Sequence, residues 1–220
     1  MTGASEYLRE ALAIAHRAAE TQLGAIEVAA SLVVDALSDG HRFWVFGTGH
    51  SHLIAEELYG RAGGLADVRA VLEPGLMLHE GLTKSSLLER LPGLADVLLE
   101  INDIAAGDVV LIASNSGRNA VPVEFALGVR ARGAHVIALT SLAHSTAVTS
   151  RAPGGQRLFE TADVVIDNCG IPGDALIAVD TTPERTGATS TLVGALLVQA
   201  LTVEIVSRLE KPTILRSLNA

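Results

Sequence analysis

Two short segments of the 220-residue chain combine glycine with hydroxyl and amide side chains, each directly after a run of apolar residues. Residues 47–52 read Gly-Thr-Gly-His-Ser-His, and residues 114–119 read Ser-Asn-Ser-Gly-Arg-Asn. Where such a turn leads into a helix, free backbone N–H groups and short hydroxyl donors meet the positive end of the helix dipole. A capping turn is the alternative for either segment. Two such turns after successive central strands favour a phosphate-binding site.

The elements that must position these turns form an alternating α/β pattern. The apolar runs are continuous and rich in β-branched residues, as expected for parallel strands covered on both faces. Segments with helical periodicity separate them, which is typical of βαβ units. The predicted strands are residues 43–46, 68–72, 109–113, 136–140 and 164–166, with an edge strand at 176–179. The predicted helices between them are residues 53–63, 92–106, 120–132 and 143–149.

A long helix is predicted at each end of a single domain. Apolar residues in steps of three, four or seven predict one helix over residues 1–40, which Asp39 and Gly40 terminate. Residues 187–210 predict a second, strongly apolar helix, and the core of the domain lies between, at 41–180. A first helix of this length needs a partner surface, either inside the chain or in a second subunit.

The connection at residues 73–91 is long and polar, which suggests a function, because connections without one are usually shorter. It contains His79 and Glu80 side by side. An imidazole beside a carboxylate suits ring opening or proton transfer. The alternative is a histidine that packs at a subunit interface.

Composition excludes several classes of protein. A net charge of −9 and only 3% aromatic residues argue against nucleic-acid binding. One cysteine excludes a disulfide framework, and the regularly spaced charges of residues 1–20 do not fit a signal peptide. The most apolar stretch, residues 192–203, is too short to span a bilayer. These features predict a soluble cytoplasmic protein with no membrane partner.

With these motifs in place, the chain resembles the SIS (sugar isomerase) domain family over nearly its whole length. The resemblance rests on strand–Gly-x-Gly-x-Ser–helix followed by strand–Ser-x-Ser-Gly-x-polar–helix. Residues 56–61, Glu-Glu-Leu-Tyr-Gly-Arg, are similar to a segment of phosphoheptose isomerases. The resemblance implies a three-layer αβα sandwich, a five-stranded parallel sheet in the order 2-1-3-4-5, and a homodimer or homotetramer formed through helices.

The resemblance also implies a bound sugar phosphate that both turns hold. Asn119 stands where the family often has serine or threonine, and its amide still offers a donor. The residues that the resemblance places at the phosphate are Thr48, Gly49, Ser51, Ser114, Asn115, Ser116, Gly117 and Asn119.

Glu57 is the first candidate for the base of an aldose–ketose isomerisation, because it lies in the Glu-Glu-Leu segment. A solvated carboxylate paired with Arg61 at i+4 is the alternative. His79 and Glu80 are the further catalytic candidates. His52 and Glu56 have the spacing of the family's metal pair but are displaced by one position, so a divalent metal is left open and no cofactor is required.

These residues predict an aldose–ketose isomerase that acts on a sugar phosphate through an enediol. The last helix lacks the histidine of the similar enzymes and carries Gln199 and Glu204 instead. This departure keeps a second hypothesis open, a non-catalytic module that binds a sugar phosphate and reports it to a partner.

Overall fold

The computed structural model of the protein describes residues 3–217. The strands are β1 (Phe43–Gly47), β2 (Val68–Val71), β3 (Val109–Ala113), β4 (His135–Thr140), β5 (Val164–Asp167), β6 (Ala175–Val179) and β7 (Thr182–Ala188). The helices are α1 (Gly3–Thr21), α2 (Leu23–Ser38), α3 (His52–Leu58), α4 (Leu82–Leu88), α5 (Leu94–Ile101), α6 (Ala120–Ala131), α7 (Leu142–Thr146), α8 (Leu158–Thr161) and α9 (Ser190–Arg208).

The first five strands form one parallel sheet in the order β2-β1-β3-β4-β5, which confirms the predicted fold class and strand order. Phe43 of β1 pairs with Val68 on one side and Val109 on the other. Every residue of β1 and β3 is buried, because helices cover both faces of the sheet. The chain leaves β1 for β2 and returns to β3 on the opposite side, so the strand order reverses between β1 and β3.

Two apolar layers cover the sheet, one on each face. Val45 and Leu111 point into the layer that α2, α3 and α9 complete. Phe46 and Ile112 are the next residues along the same strands and point into the layer formed with α5 and α6. This alternation is the two-residue period of a strand, and it places α3 and α6 on opposite faces of the sheet.

The N-terminal segment is helical as predicted, but it forms two helices, α1 and α2, that meet at an angle of 60°. The break is at Gln22, whose backbone leaves the helical region. The Gln22 side chain accepts a hydrogen bond from the backbone N–H of Asp167 at the end of β5 (2.9 Å). The bend lets α2 pack against β5 while α1 packs against β6. The apolar period is the same on both sides of the break and so did not reveal it.

The edge strand predicted at residues 176–179 is present, but it lies outside the parallel sheet. This segment, β6, pairs with β7 in a separate antiparallel sheet. β7 is polar and almost wholly exposed, so no apolar run marked it. The last helix accordingly begins at Ser190, because Gly187 and Ala188 belong to β7.

Among residues 3–217, α9 is the one helix that is long and apolar enough to cross a membrane by itself. Helices α1 and α2 together meet the same criterion if the bent pair is taken as one span. Helix α9 is longer than the apolar stretch considered in the sequence. Its residues Val193, Leu197 and Leu201 are almost completely buried in the core. These residues pack α9 against the α2 and α3 side of the sheet. A cytoplasmic location stays a prediction.

Candidate functional site

A cleft opens where the strand order reverses, at the carboxyl ends of β1 and β3. Parallel α/β sheets bind ligands at this position, because the helices that follow the two strands leave to opposite faces. The turn after β1 and the turn after β3 border the cleft, and the end of β4, the residue after β5 and the start of α9 close it. The residues that line it are Ser51, Ile54, Ala113, Ser114, Asn115, Leu139, Asn168, Ser190 and Thr191.

The first turn, residues 47–51, requires glycine at its start. A Cβ atom on Gly47 would lie 2.3 Å from the backbone oxygen of Ser51. Backbone cannot yield to such a contact, so any side chain at position 47 would displace the turn. The turn closes through a hydrogen bond from the N–H of Ser51 to the oxygen of Thr48 (3.0 Å), and it thereby places Ser51 at the cleft.

The second turn, residues 114–119, is held by its own serine. The Ser114 hydroxyl accepts a hydrogen bond from the N–H of Gly117 (3.2 Å). Gly117 has a φ of +56°, and a Cβ atom there would lie 3.0 Å from the Ser145 hydroxyl. The Ser116 hydroxyl makes no hydrogen bond within residues 3–217, so this donor remains available at the N-terminus of α6.

Asn115 is fixed by partners that the sequence analysis missed. Its Oδ1 accepts a hydrogen bond from Asn168 Nδ2 (2.9 Å), and its Nδ2 lies 3.5 Å from His144 Nδ1. Burial lowers the pKa of His144, and the charge of Arg118 acts in the same direction against that of Asp174. Asn168 directly follows β5, and His144 follows β4. Their position after strand ends was the one signal that could have identified them.

Glu89, at the end of α4, joins the two turns. Its carboxylate accepts hydrogen bonds from the Thr48 hydroxyl (2.9 Å) and from Asn119 Nδ2 (2.7 Å). The other amide atom of Asn119, Oδ1, accepts a hydrogen bond from Arg151 Nη1 (3.1 Å). Two of the predicted phosphate ligands, Thr48 and Asn119, are therefore bound to Glu89 and do not line the cleft. Glu89 was not predicted from the sequence, because no motif marks this position in the long connection.

Burial raises the pKa of Glu89, although the Thr48 hydrogen bond and the charges of Arg90 and Arg151 act in the opposite direction. A half-buried carboxyl with a raised pKa near a cleft is a feature of acid–base sites. It holds its proton at a higher pH than an exposed carboxylate does, and it is a stronger base once ionised.

The charges of two arginines, Arg90 and Arg151, act on this carboxylate. Burial lowers the pKa of Arg151, and the positive charges of Arg118 and Arg90 lower it further. Within the described residues, Arg118 Nε is buried and has no hydrogen-bond partner. The surroundings of the α6 N-terminus therefore carry a local positive charge, in a protein whose net charge is −9.

The raised pKa of Glu89 gives a prediction about stability. Between the unfolded value near 4.5 and the higher folded value, the folded chain holds the extra proton. The free energy of unfolding therefore falls as pH rises through this interval. We expect the stability of Glu89→Gln relative to the native protein to increase with pH across it, as measured by urea unfolding at a series of pH values.

The exposed Glu100, whose side chain is 86% accessible, provides the control. Glu100→Gln and the native protein should have nearly the same free energy of unfolding at every pH. If the free energy of unfolding of Glu89→Gln relative to the native protein were constant with pH, or rose toward acid pH, the raised pKa of Glu89 would be contradicted.

Glu57, the base predicted from the sequence, lies outside the cleft-lining set. Its Oε2 accepts a hydrogen bond from Arg61 Nη1 (2.7 Å), and its Oε1 accepts one from Gln199 Nε2 (2.9 Å). The i+4 pairing with Arg61 was the alternative interpretation of this residue, and the contact with Gln199 of α9 adds to it. Glu57 is thus a half-buried carboxylate held between two helices.

The other predicted catalytic and metal residues lie around the start of α3. Glu80 pairs with Lys84, and both side chains are about half exposed. His79 meets His52 edge to face, with ring centroids 5.4 Å apart. His52 Nε2 lies 3.7 Å from Glu56 Oε1. No hydrogen bond or ion pair among residues 3–217 joins Glu57 to His79 or Glu80, so their action as one catalytic group stays a prediction.

Curated relatives match this chain over most of its length. A UPF0309 protein of Halalkalibacterium halodurans is 53% identical over 185 residues, which cover 84% of this chain and 76% of the relative. A UPF0309 protein of Oceanobacillus iheyensis is 38% identical over 212 residues, which cover 96% and 86% respectively.

Solved structures share the fold at low sequence identity. A phosphoheptose isomerase from Francisella tularensis superposes with a TM-score of 0.64 at 19% identity and covers 94% of this chain and 100% of its own. A phosphoheptose isomerase from Neisseria gonorrhoeae gives a TM-score of 0.60 at 19% identity and covers 93% and 97%. Residues 6–141, more than half of this chain, match the sequence profile of the SIS domain. With this match, the strand order and the two turns at the switch point, the chain belongs to the SIS-domain family.

Proposed function

We propose that this protein binds a sugar phosphate in the cleft between β1 and β3 and interconverts its aldose and ketose forms through an enediol. The observation that carries the proposal is that the half-buried carboxyl of Glu89 is hydrogen-bonded to both turns at the switch point, to Thr48 after β1 and to Asn119 before α6. Solved structures with the same fold that are named phosphoheptose isomerases support it.

We assign the phosphate group to the N-terminus of α6. This helix has 12 residues, so its dipole and free N–H groups favour an anion at that end. Ser114 borders the cleft, and the Ser116 hydroxyl is available as a donor. The arginines around Glu89 add positive charge. Thr48 and Asn119 act through Glu89 in this assignment, since both donate to its carboxylate.

Ser116→Ala is expected to weaken binding of the sugar phosphate by about 1.5–3 kcal/mol, the usual contribution of a hydrogen bond to a charged group. Isothermal titration of the native protein with a panel of sugar phosphates identifies the ligand, and the variant is then titrated with it. Ser207→Ala, which removes an exposed hydroxyl near the end of α9, is the matched control. Equal affinity of Ser116→Ala and the native protein would refute this placement of the phosphate.

The conversion of an aldose to a ketose moves one proton from C2 to C1 and another from O2 to O1. A carboxylate can carry the carbon-bound proton, because it takes the proton from C2 and returns it to C1 of the enediol. Glu89 fits this role because it is half-buried, its pKa is raised and it is hydrogen-bonded to both turns. Glu57, with His79 and Glu80, stays the alternative set, and the two sets are separable by mutation.

Proton abstraction is tested by incubating the protein with the sugar-phosphate panel in deuterated water and analysing the sugars by mass spectrometry. An isomerase that uses an enediol incorporates deuterium at the carbon next to the carbonyl and forms the isomeric sugar. A sugar phosphate that binds without exchange would refute the isomerase assignment.

Binding without deuterium exchange is the result expected of a module that binds the sugar phosphate but does not catalyse a reaction. One observation favours this second candidate function: neither Glu57 nor Glu89 is among the residues that line the cleft. Glu57 is bound to Arg61 and Gln199, and Glu89 is bound to Thr48 and Asn119. A module of this kind would bind the sugar phosphate with the same dependence on Ser116 and would show no deuterium incorporation.

We also propose that the protein forms a homodimer through its N-terminal helices, with a homotetramer as the larger alternative. Leu8 and Leu12, one turn apart on α1, are 58% and 65% exposed. We expect the double variant Leu8→Glu/Leu12→Glu to be a monomer by light scattering after gel filtration, while the native protein is at least a dimer. Leu87→Glu, which changes a leucine of α4 that is 63% exposed, is the control. An unchanged mass of the double variant would contradict this interface.

A further inference from the structure

Asp174 binds the end of α9 that borders the cleft. Its Oδ1 accepts hydrogen bonds from the backbone N–H groups of Thr189 (3.0 Å) and Ser190 (2.9 Å) and from the Thr189 hydroxyl (3.3 Å). Its Oδ2 accepts one from the Ser190 hydroxyl. The first N–H groups of a helix have no partner inside the helix, so the carboxylate satisfies donors that α9 leaves free. The bond to the Ser190 hydroxyl has a further consequence for the cleft.

The hydrogen bond to Asp174 determines how the Ser190 hydroxyl can act on a ligand. A serine hydroxyl has one proton to donate and two lone pairs with which to accept. A carboxylate only accepts hydrogen bonds, so the single proton of Ser190 is directed at Asp174. Ser190 lines the cleft. A ligand in the cleft therefore meets the lone pairs of Ser190, which accept a hydrogen bond from the ligand but cannot donate one.

Two amides that line the same cleft, Asn115 and Asn168, offer donors instead. The backbone N–H of Gly170 donates to Asn168 Oδ1 (2.9 Å), which identifies that atom as the oxygen. Asn168 Nδ2 then donates to Asn115 Oδ1 (2.9 Å), so Asn115 Nδ2 lies on the other side, toward His144. Within residues 3–217 each amide nitrogen has one such contact for its two protons. One proton on each nitrogen is thus left for a ligand that accepts.

The combination of an acceptor at Ser190 with donors at the two amides selects the chemical group that fits between them. A fully ionised phosphate or a carboxylate has no proton to give to Ser190, and its charge would lie near that of Asp174. An ammonium group has protons but no lone pair for the amides. A hydroxyl group suits both sides, because its oxygen accepts from an amide proton while its own proton is donated to Ser190.

We propose that Ser190, Asn115 and Asn168 recognise a hydroxyl group of the ligand, and that Asp174 determines this specificity by holding the Ser190 proton. The inference rests on the proposed binding of a sugar phosphate in this cleft, but not on its isomerisation. It orients the ligand, with the phosphate at the N-terminus of α6 and a hydroxyl-bearing carbon toward α9. At that carbon the site favours a hydroxy sugar over the corresponding deoxy or amino sugar, because a site built to bind a hydroxyl rejects a group that leaves its polar atoms unpaired.

The test uses the sugar phosphate that titration of the panel identifies, together with analogues in which one hydroxyl at a time is replaced by fluorine. Fluorine accepts a hydrogen bond weakly and cannot donate one. At the carbon that meets Ser190, the native protein is expected to bind the fluoro analogue about 10–100-fold more weakly than the hydroxy sugar, the usual loss when an acceptor is left without its donor.

Asp174→Asn is designed to reverse the direction of the Ser190 proton. The asparagine Oδ1 can still accept from the two N–H groups, whereas its Nδ2 donates to Ser190 Oγ and leaves the Ser190 proton for the ligand. Asparagine also tolerates the φ of +58° at this position. This variant is expected to lose the preference for hydroxyl over fluorine. Ser190→Ala removes the acceptor itself and is expected to lose the same preference, which keeps the test available if Asp174→Asn does not fold.

Ser207→Ala, which removes an exposed hydroxyl from the same helix, is the control and should keep the native preference. Native protein that binds every fluoro analogue as well as the hydroxy sugar, or a native preference that persists in Ser190→Ala, overturns the inference. Binding of the sugar phosphate without deuterium exchange would refute the isomerase alone and leave the preference measurable. A panel in which no sugar phosphate binds would refute the proposed function and this site together.

Discussion

Glu89→Gln is expected to slow the proposed isomerisation by about 10²–10⁴-fold, which is the usual contribution of a general base. Glutamine has the shape of glutamate, and it can still accept from Asn119 and donate to the Thr48 hydroxyl. The variant should therefore keep the two turns in place and bind the sugar phosphate with nearly native affinity. The rate of deuterium incorporation at saturating substrate measures the effect, and titration calorimetry measures binding.

Two further variants make this result decisive. Glu100→Gln, on an exposed residue, should exchange at the native rate. Glu57→Gln tests the base predicted from the sequence, whose contacts are with Arg61 and Gln199. Native exchange by Glu89→Gln combined with loss of exchange in Glu57→Gln would assign the base to Glu57.

Asp108→Ala is expected to reduce the free energy of unfolding by about 3 kcal/mol, because several hydrogen bonds to one charged group are lost and each contributes about 1.5–3 kcal/mol. Asp108 is 2% exposed and precedes β3. Its Oδ1 accepts from the N–H of Arg42 (2.9 Å), and its Oδ2 accepts from Trp44 Nε1 (2.9 Å) and the N–H of Ala105 (3.0 Å). Alanine would leave all three donors without this acceptor.

Urea unfolding monitored by circular dichroism measures this change. Asp103→Ala removes an exposed carboxylate from the same loop and should alter stability by no more than about 0.5 kcal/mol. Asp108→Asn keeps one acceptor and should fall between the alanine variant and the native protein. A loss below about 1 kcal/mol in Asp108→Ala would show that these hydrogen bonds contribute little net stability.

The strands were the most predictable part of the fold. The predicted strand 109–113 coincides with β3, and the predicted strand 43–46 differs from β1 by one residue. A strand buried on both faces must be apolar at every position, so its limits appear directly in the sequence. The order of the strands is not contained in that pattern, and it came from the resemblance to the SIS family.

The elements that the sequence missed lack such a pattern. β7 is exposed along its length, so nothing selects apolar residues there. α4 is a short helix inside the polar connection at 73–91. The break at Gln22 depends on a hydrogen bond to residue 167, which is far away in the chain. Local periodicity carries no information about any of these three features.

Part of the candidate site could likewise be predicted from the sequence, and the rest depends on the tertiary structure. Local composition was enough to identify both turns, because glycine and hydroxyl residues between an apolar run and a helical segment are typical of a tight strand-to-helix turn. Only the tertiary structure brought Glu89 to Thr48 across 41 residues and Asn168 to Asn115 across 53. It alone placed His79 against His52. Periodicity determines which face of an element is buried, whereas the packing of distant elements decides which polar groups meet.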